Sequence, residues 1–340
     1  MPLKGSLSKI RKRVSYLFFA SLFKELINRF EPHRQTYRGL RIYAIDGLQL
    51  TLPRTDDLIK QGFTGRSISK YRESYMPRMW LTHCYDVLSG VTKDFEATNR
   101  LNEISDAETM IKNLEKNSLT LYDRLYICSR LIKVHHEVGS YFLFRARRSS
   151  FKEIRDFYKS RKARHTFVHE GCTIHLIKIK NPRTKELDVF ATNLPMSWVK
   201  KKIIRPLYSL RWEVENSFRE ITQTIQLEQW HAKSANGVLQ ELFAAMWLIN
   251  FTKIQMFVRG KRIKNPLKPI YRRANFKLIL NWLSDRFEKI MNGSKRFLSE
   301  IKWLIRISTE TRKHHSRRYP REIKSPASPY PYNNTIWNIS

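Results

Sequence analysis

The chain reads as an α/β protein in which a mixed sheet is flanked by helices. Three observations support that class. Between residues 40 and 146, β-like and helical runs follow in the order strand, two hairpin strands, helix, strand, helix, strand, a pattern of strands with helical crossovers. The pair Ser89-Gly90 separates two β-like runs and marks the hairpin. At 340 residues and 41% hydrophobic content, the chain is long and apolar enough to bury the core such a sheet requires.

Residues 6–30 place Val14, Leu17, Phe18, Leu22, Leu26 and Ile27 at helical spacing with basic residues between them, which predicts one or two amphipathic helices. Residues 40–46 form a short strand that runs into Gly47. Residues 79–85 and 91–97 are the hairpin strands. Ser105-Asp106-Ala107-Glu108 reads as a capping box, in which the Ser hydroxyl and the Glu carboxylate satisfy the first free amides of a helix ending near Asn117. A strand over 119–123, a helix over 126–136 and a strand over 140–146 follow. Residues 167–179 and 187–191, separated by Asn181-Pro182-Arg183, read as a small β insertion. Pro206, tolerated in a first helical turn, opens a long helix to about Glu228. Residues 239–257 form another, strongly apolar helix.

Charge narrows the partner. Lys plus Arg number 64 against 30 Asp plus Glu, a formal net charge of +34. A folded chain so positive repels itself unless a polyanion neutralises it, with nucleic acid first and an anionic membrane surface second. That balance argues against a metabolic enzyme acting on a small neutral substrate. The longest apolar runs, 14–23 and 242–251, are about half of the ~20 residues a bilayer span needs. The basic start is not followed by a signal-peptide cleavage pattern. Cys84, Cys128 and Cys172 are odd in number and far apart, as expected of reduced thiols in a cytoplasmic protein. Residues 252–340 hold 21 Lys plus Arg against 5 acids, and from Ser325 no charge remains while prolines recur, the composition of a disordered tail.

In so basic a chain the informative residues are acids that a fold can converge. Asp46 ends one predicted strand and Asp123 another, and in a sheet of this order the two strands lie side by side. Like charges brought together need a bridging cation, and carboxylates with water between them suit Mg²⁺. Taken singly, each aspartate is better explained as a turn residue. On the helix after Pro206, residues Leu207, Leu210, Val214, Phe218, Ile221 and Ile225 make an apolar face. Tyr208, Arg211, Glu215, Arg219 and Thr222 fall on a second, narrow stripe. Spacing alone leaves Glu215 balanced between a surface salt-bridge pair and a metal-binding glutamate among phosphate-holding arginines.

These residues resemble a known pattern. Tyr208-Ser-Leu-Arg211-Trp-Glu-Val-Glu215, followed by Asn-Ser-Phe218-Arg219, is similar to the Tyr-Arg-Glu-Lys signature of the insertion-sequence-four family of DDE transposases. Tyr43-Ala-Ile-Asp46-Gly47 resembles that family's first-aspartate motif, and Leu121-Tyr-Asp123-Arg124-Leu-Tyr126 its second. The stretch from Leu194-Pro195 to Trp230-His231 also reads like the family, so the resemblance spans roughly residues 6–251.

The resemblance implies an RNase-H-like catalytic core with a β-rich insertion before the Glu helix. It implies that Asp46, Asp123 and Glu215 are catalytic and hold two Mg²⁺ or Mn²⁺ ions. Tyr208, Arg211, Arg219 and Thr222 then contact DNA near the element's terminal repeat. The reaction implied is cleavage at insertion-sequence ends and strand transfer into target DNA, by two protomers holding two ends, in a bacterial, nucleoid-associated setting without a membrane. The corresponding organisation is a helical remnant of a DNA-binding region over 1–39 and the first part of the core over 40–148. The insertion then covers 149–200, the core helices with Glu215 cover 201–258, a basic helical region covers 259–324, and the tail covers 325–340. Two departures accompany the match. Thr222 stands where the signature has lysine, with Arg219 one turn earlier on the same stripe. Only a short segment precedes Asp46, which reads as an N-terminally truncated copy of impaired activity. A nuclease without strand transfer and an inactive DNA-binding remnant are the alternative readings.

Rival constellations are weaker. His165, His169, Cys172 and His175 fit no common zinc spacing; on a strand, 165 and 169 are expected to point one way and 172 and 175 the other. Gly62-Phe-Thr-Gly65-Arg lacks the lysine and spacing of a phosphate-binding P-loop. His135-His136 terminates a helix. Asp56, Asp57 and Asp86 sit at turns or helix starts, where capping accounts for them. Trp212 and Trp230 flank the Glu helix, and core packing explains both better than stacking on a base.

Overall fold

Strand Arg41–Thr51 (β1) is the spine of the molecule. The structure is a computed structural model and describes residues 4–69, 72–181, 186–260, 272–292 and 295–311. The first helices are Lys4–Arg13 (α1) and Tyr16–Phe30 (α2). After β1 come Asp56–Lys60 (α3), Gly65–Ser69 (β2), Arg72–Asp86 (β3) and Val91–Thr98 (β4). Then follow Glu103–Lys112 (α4), Ser118–Tyr122 (β5), Ser129–Val138 (α5), Tyr141–Ala146 (β6) and Lys152–Lys159 (α6). Strands Arg164–His169 (β7), Cys172–Lys180 (β8) and Leu187–Thr192 (β9) lead into helices Lys201–Ser209 (α7), Trp212–Arg219 (α8) and Ala235–Arg259 (α9). A short strand Arg272–Ala274 (β10), helices Phe276–Asp285 (α10), Phe287–Met291 (α11) and Lys295–Ile307 (α12), and strand Thr309–Thr311 (β11) close the described chain.

The central sheet runs β4-β3-β1-β5-β6-β9-β8-β7, with β2 also paired to β3. β3 lies antiparallel to both β1 and β4, whereas β5 lies parallel to β1 and β6 parallel to β5. This is the order and orientation expected of an RNase-H-like core. Parallel neighbours need crossovers, and α4 and α5 supply them. The β7–β9 segment does not stand apart: β9 pairs antiparallel with β6, so all three strands extend the main sheet.

Side-chain alternation on β1 explains the layers. Tyr43 and Ile45 face α4 and α5, with Tyr122, Phe142 and Phe144 beside them. Ile42 and Ala44 face the opposite way, onto Leu207 and Val214 of α7 and α8. Burying each such large apolar side chain contributes about 1.5–3 kcal/mol. Past the site, Leu50 and Leu52 join a third cluster under α2 and α9. α10 and α12 enclose a smaller core around Ile279, Leu283, Phe297 and Ile301.

Several expected boundaries move, each for a local reason. β1 does not stop at Gly47 but continues to Thr51, because β3 pairs with it through Thr51↔Arg78. Ser105 is no cap: α4 starts at Glu103 and ends at Lys112, and the Ser105 hydroxyl accepts from Arg130 instead. α5 opens at Ser129, since residues 123–126 form a turn closed by the Tyr126 N–H to the Asp123 carbonyl. α6 was not anticipated. Pro206 lies inside α7, where its missing N–H removes a helical bond. The single long helix expected there ends at Ser209 and restarts as α8, followed by a π-turn over Glu220–Thr224. The tail over 325–340 lies outside the described residues.

Candidate active site

In the parallel pair of β1 and β5, Ile45 stands opposite Tyr122, so Asp46 and Asp123 are the next positions along the two strands. β5 ends at Tyr122 and the chain turns away, leaving Asp123 at the carboxyl end of its strand, where open α/β sheets bind ligands. Asp46 is not beside a flexible turn. It projects from mid-strand, on the face that α8 covers, and accepts a hydrogen bond from the Gly47 N–H at 3.0 Å.

Arg211 joins the first and third acids. Its Nη1 donates to Asp46 Oδ2 at 3.1 Å and its Nη2 to Glu215 Oε1 at 2.6 Å, with only 5% of the side chain exposed. The break between α7 and α8 makes this possible. Tight i→i+3 bonds, Arg211 N–H to Tyr208 and Val214 N–H to Arg211, carry the chain through the bend. The guanidinium also lies 4.8 Å from the Trp212 ring and 6.0 Å from that of Tyr208.

The charges respond to this crowding. Burial pushes the Asp46 carboxyl up to about 6; Arg211 and the Gly47 N–H oppose that rise, while Asp123 and Glu215 add to it. Burial works against the charge on Arg211, yet Tyr208, Asp46 and Glu215 together raise its pKa above the ordinary value. Burial raises Tyr208, which packs edge-on against Phe190 and faces Arg211 and Asp123.

Asp46, Asp123, Glu215, Tyr208 and Arg211 therefore converge. Arg219 and Thr222 continue outward. Arg219 is exposed, and the Thr222 hydroxyl bonds back to the Phe218 carbonyl at 2.9 Å. The π-turn unwinds the regular stripe on which both were placed. Trp212 is 44% exposed and not core, whereas Trp230 is partly buried and donates to the Thr51 carbonyl.

Two supporting groups escaped sequence reasoning. His83 stands opposite Asp46 in the β1–β3 pair, is fully buried, and bonds Thr92 and Ser217. Glu103 reaches across Gly47, where an added Cβ would lie 2.1 Å from Glu103 Oε1. Its other oxygen accepts from the Tyr126 hydroxyl at 2.9 Å. A glycine following the first acid, with a carboxylate opening α4, was the available signal.

The rival histidines are structural. Residues 170–171 make a tight turn with positive φ, pairing His169 with Cys172 and Thr166 with His175. His165, His169 and Cys172 thus share one face and His175 the other, which corrects the expected grouping.

Asp46, Asp123 and Glu215 offer hard oxygen donors suited to Mg²⁺ or Mn²⁺. As placed, they do not close on one ion: among the described residues no three His, Cys, Asp or Glu side chains converge tightly enough to hold a metal. The Arg211 guanidinium fills the space between two of them.

A family model described as the transposase DDE domain matches residues 37–251, well over half of the chain. The chain belongs to the DDE-domain transposases. Asp46, Asp123 and Glu215 all lie inside the matched segment. Among solved structures, a piggyBac transposase synaptic complex with hairpin DNA is similar at a TM-score of 0.42 and 13% identity, over 84% of this chain. The chain spans 60% of that protein's length. No curated protein matches it. Among the described residues no helix is long and apolar enough to cross a membrane.

Proposed function

We propose that this DDE transposase is of the insertion-sequence-four type and cuts and joins DNA at the terminal repeats of its element. The observation that carries the reading is that Asp46, Asp123 and Glu215, from three separate elements, come near one another beside the carboxyl end of β5. Asp46, Asp123 and Glu215 would hold a pair of divalent cations, Mg²⁺ or Mn²⁺. When bound, such a pair activates water or a 3′-hydroxyl and stabilises the leaving oxygen.

The chain's own residues do the rest. Arg211 and Arg219 bind and orient the phosphodiester, Arg211 through the planar fork that suits phosphate. Tyr208 walls the site and excludes water from beneath it. The surplus of positive charge draws the duplex in and holds it by its backbone, whatever its sequence. Two protomers on two ends form the synaptic complex of this reading, and residues 1–39 take part in its DNA binding.

The test is incubation of the full chain with Mg²⁺ or Mn²⁺, DNA carrying the terminal repeats, and target DNA. Cleaved and joined products are expected from the wild type. Asp46→Asn, Asp123→Asn and Glu215→Gln should each lose both products while still binding DNA. Intact cleavage in all three variants would overturn the assignment. Cleavage without joining marks a nuclease, and binding alone marks an inactive remnant.

A further inference from the structure

Arg211 occupies an unusual position for a DNA contact. It is buried and spends two of its donors on the carboxylates of Asp46 and Glu215. A divalent ion held by those acids needs the same oxygens. A carboxylate oxygen engaged by a guanidinium N–H in the plane of its lone pairs is a poor ligand at the same moment. Guanidinium and ion therefore compete for Asp46 Oδ2 and Glu215 Oε1. In the arrangement seen, the guanidinium holds the place.

That hold is incomplete. Arg211 Nε is buried and has no hydrogen-bond partner among the described residues, an unfavourable state for a polar group. Two rings flank the guanidinium, Tyr208 at 6.0 Å and Trp212, itself half open to solvent, at 4.8 Å. A phosphate brought in past Trp212 would offer two oxygens to Nε and Nη2 together as a bidentate pair. The two carboxylates would then be free.

We propose that Arg211 is a gate that couples the two ligands of the site, so that a divalent ion binds tightly only once a DNA phosphate has drawn the guanidinium off Asp46 and Glu215. The coupling is reciprocal, as any linkage between two binding events must be. The ion therefore tightens DNA binding by the same factor. A chain with this gate carries no loaded cutting centre when it is away from DNA. The inference rests on reading the three acids as metal ligands, and the experiment separates the two.

Mn²⁺ is titrated into the full wild-type chain, free or saturated with a short random-sequence duplex, with bound Mn²⁺ read by electron paramagnetic resonance and the duplex-alone signal subtracted. DNA is expected to raise Mn²⁺ affinity roughly ten- to a hundredfold, the range typical of coupled sites. In Arg211→Gln, the free chain should bind Mn²⁺ about as tightly as the wild-type complex, and DNA should add little. Equal wild-type affinity with and without DNA overturns the gate. So does a folded Arg211→Gln chain that binds Mn²⁺ no better than the free wild type. If that variant fails to fold, the wild-type comparison decides alone. The underlying reading is checked separately: Asp46→Asn and Glu215→Gln must weaken Mn²⁺ binding in the DNA complex. If they do and DNA dependence is absent, only the gate falls; if they do not, the ligand reading falls.

Discussion

His83 Nδ1 lies 3.3 Å from Ser217 Oγ. That contact ties the strand beside Asp46 to the helix that carries Glu215, two residues before Ser217. The other ring nitrogen meets the Thr92 hydroxyl at 2.7 Å, and the ring packs against Phe218. One neutral imidazole thus fixes the spacing between two acids. His83→Ala removes that packing and the partner of the Thr92 hydroxyl, while Ser217 keeps its bond to the Val214 carbonyl at 2.7 Å. It should cost about 2–4 kcal/mol in urea unfolding and lower cleavage further by loosening α8. Ser217→Ala should lower cleavage with a smaller loss of stability. Unchanged cleavage in both would show that the tie does not position Glu215.

Stability should fall on acidification. Burial lowers His83 and His135 from 6.5 to about 3. Each contributes stability that is complete above pH 6.5 and is lost as pH falls towards 3. Glu31 acts in the same direction. Burial alone would raise it, but Arg34, Lys93 and Arg41 hold it at about 2, below its ordinary 4.5. Asp46, raised from 3.8 to about 6, acts oppositely: its contribution is present below 3.8 and lost as pH rises through 6. Asp94, Glu96 and Asp106, raised by burial to a lesser degree, act like Asp46, and Glu31 acts only below its ordinary 4.5. The two far-shifted histidines set the sign, so unfolding free energy measured by denaturant should drop from pH 7 to pH 4. His83→Asn should flatten that slope by up to about 1.4 kcal/mol per pH unit. An unaltered slope would mean that His83 takes up a proton in the folded chain.

Gly47, Glu103 and Tyr126 form one mechanical chain. A methyl at Gly47 would displace the Glu103 carboxylate, which in turn holds the Tyr126 hydroxyl at the turn beginning with Asp123. Gly47→Ala and Tyr126→Phe should each cost about 0.5–1.5 kcal/mol. Together they should cost less than the sum, because both break the same contact. A double-mutant cycle on unfolding free energies checks this, and strict additivity would separate the two positions.

Local patterns in the chain were sufficient to place β1 beside β5, to mark the β3–β4 hairpin at Gly90, and to bring Asp46 level with Asp123. Each depends on near neighbours or on strand order. What they left hidden depends on partners distant in sequence. Gly47 looked like a stop because glycine usually punctuates; here it is small so that Glu103 can pass over an uninterrupted strand. The Arg211 stripe looked regular because 100° per residue was carried through Pro206 and Glu220, where the helix in fact breaks and then widens. The guanidinium lying between Asp46 and Glu215 follows from that break.

Arg34 anchors the N-terminal helices to the sheet. Its side chain is fully buried, donating to Asp86 at 2.8 Å, to Glu31 at 2.8 Å and to the Tyr43 hydroxyl at 2.5 Å. Asp86 keeps the Leu88 and Ser89 N–H groups as further donors, but among the described residues no second cation is paired with it. Arg34→Met should cost about 3–5 kcal/mol, the loss typical when one partner of a buried pair is removed. Arg34→Met combined with Asp86→Asn should recover part of that loss. Thermal and urea unfolding of both variants give the comparison, and equal stability of the two would deny that the unpaired charge is what hurts.

Position 222 tests where DNA runs beyond Glu215. Thr222 now bonds its own helix through the Phe218 carbonyl and supplies no charge, whereas exposed Arg219 lies nearby on the preceding turn. A lysine side chain from this half-buried position is long enough to reach the surface that Arg219 occupies. Thr222→Lys should therefore raise duplex affinity and steepen the plot of log affinity against log salt by about 0.9, the worth of one phosphate. Arg219→Ala should flatten the same plot by a similar amount. Binding measured over a range of salt concentrations gives both slopes. A Thr222→Lys slope equal to wild type, beside a shallower Arg219→Ala slope, would put the duplex over Arg219 and away from position 222.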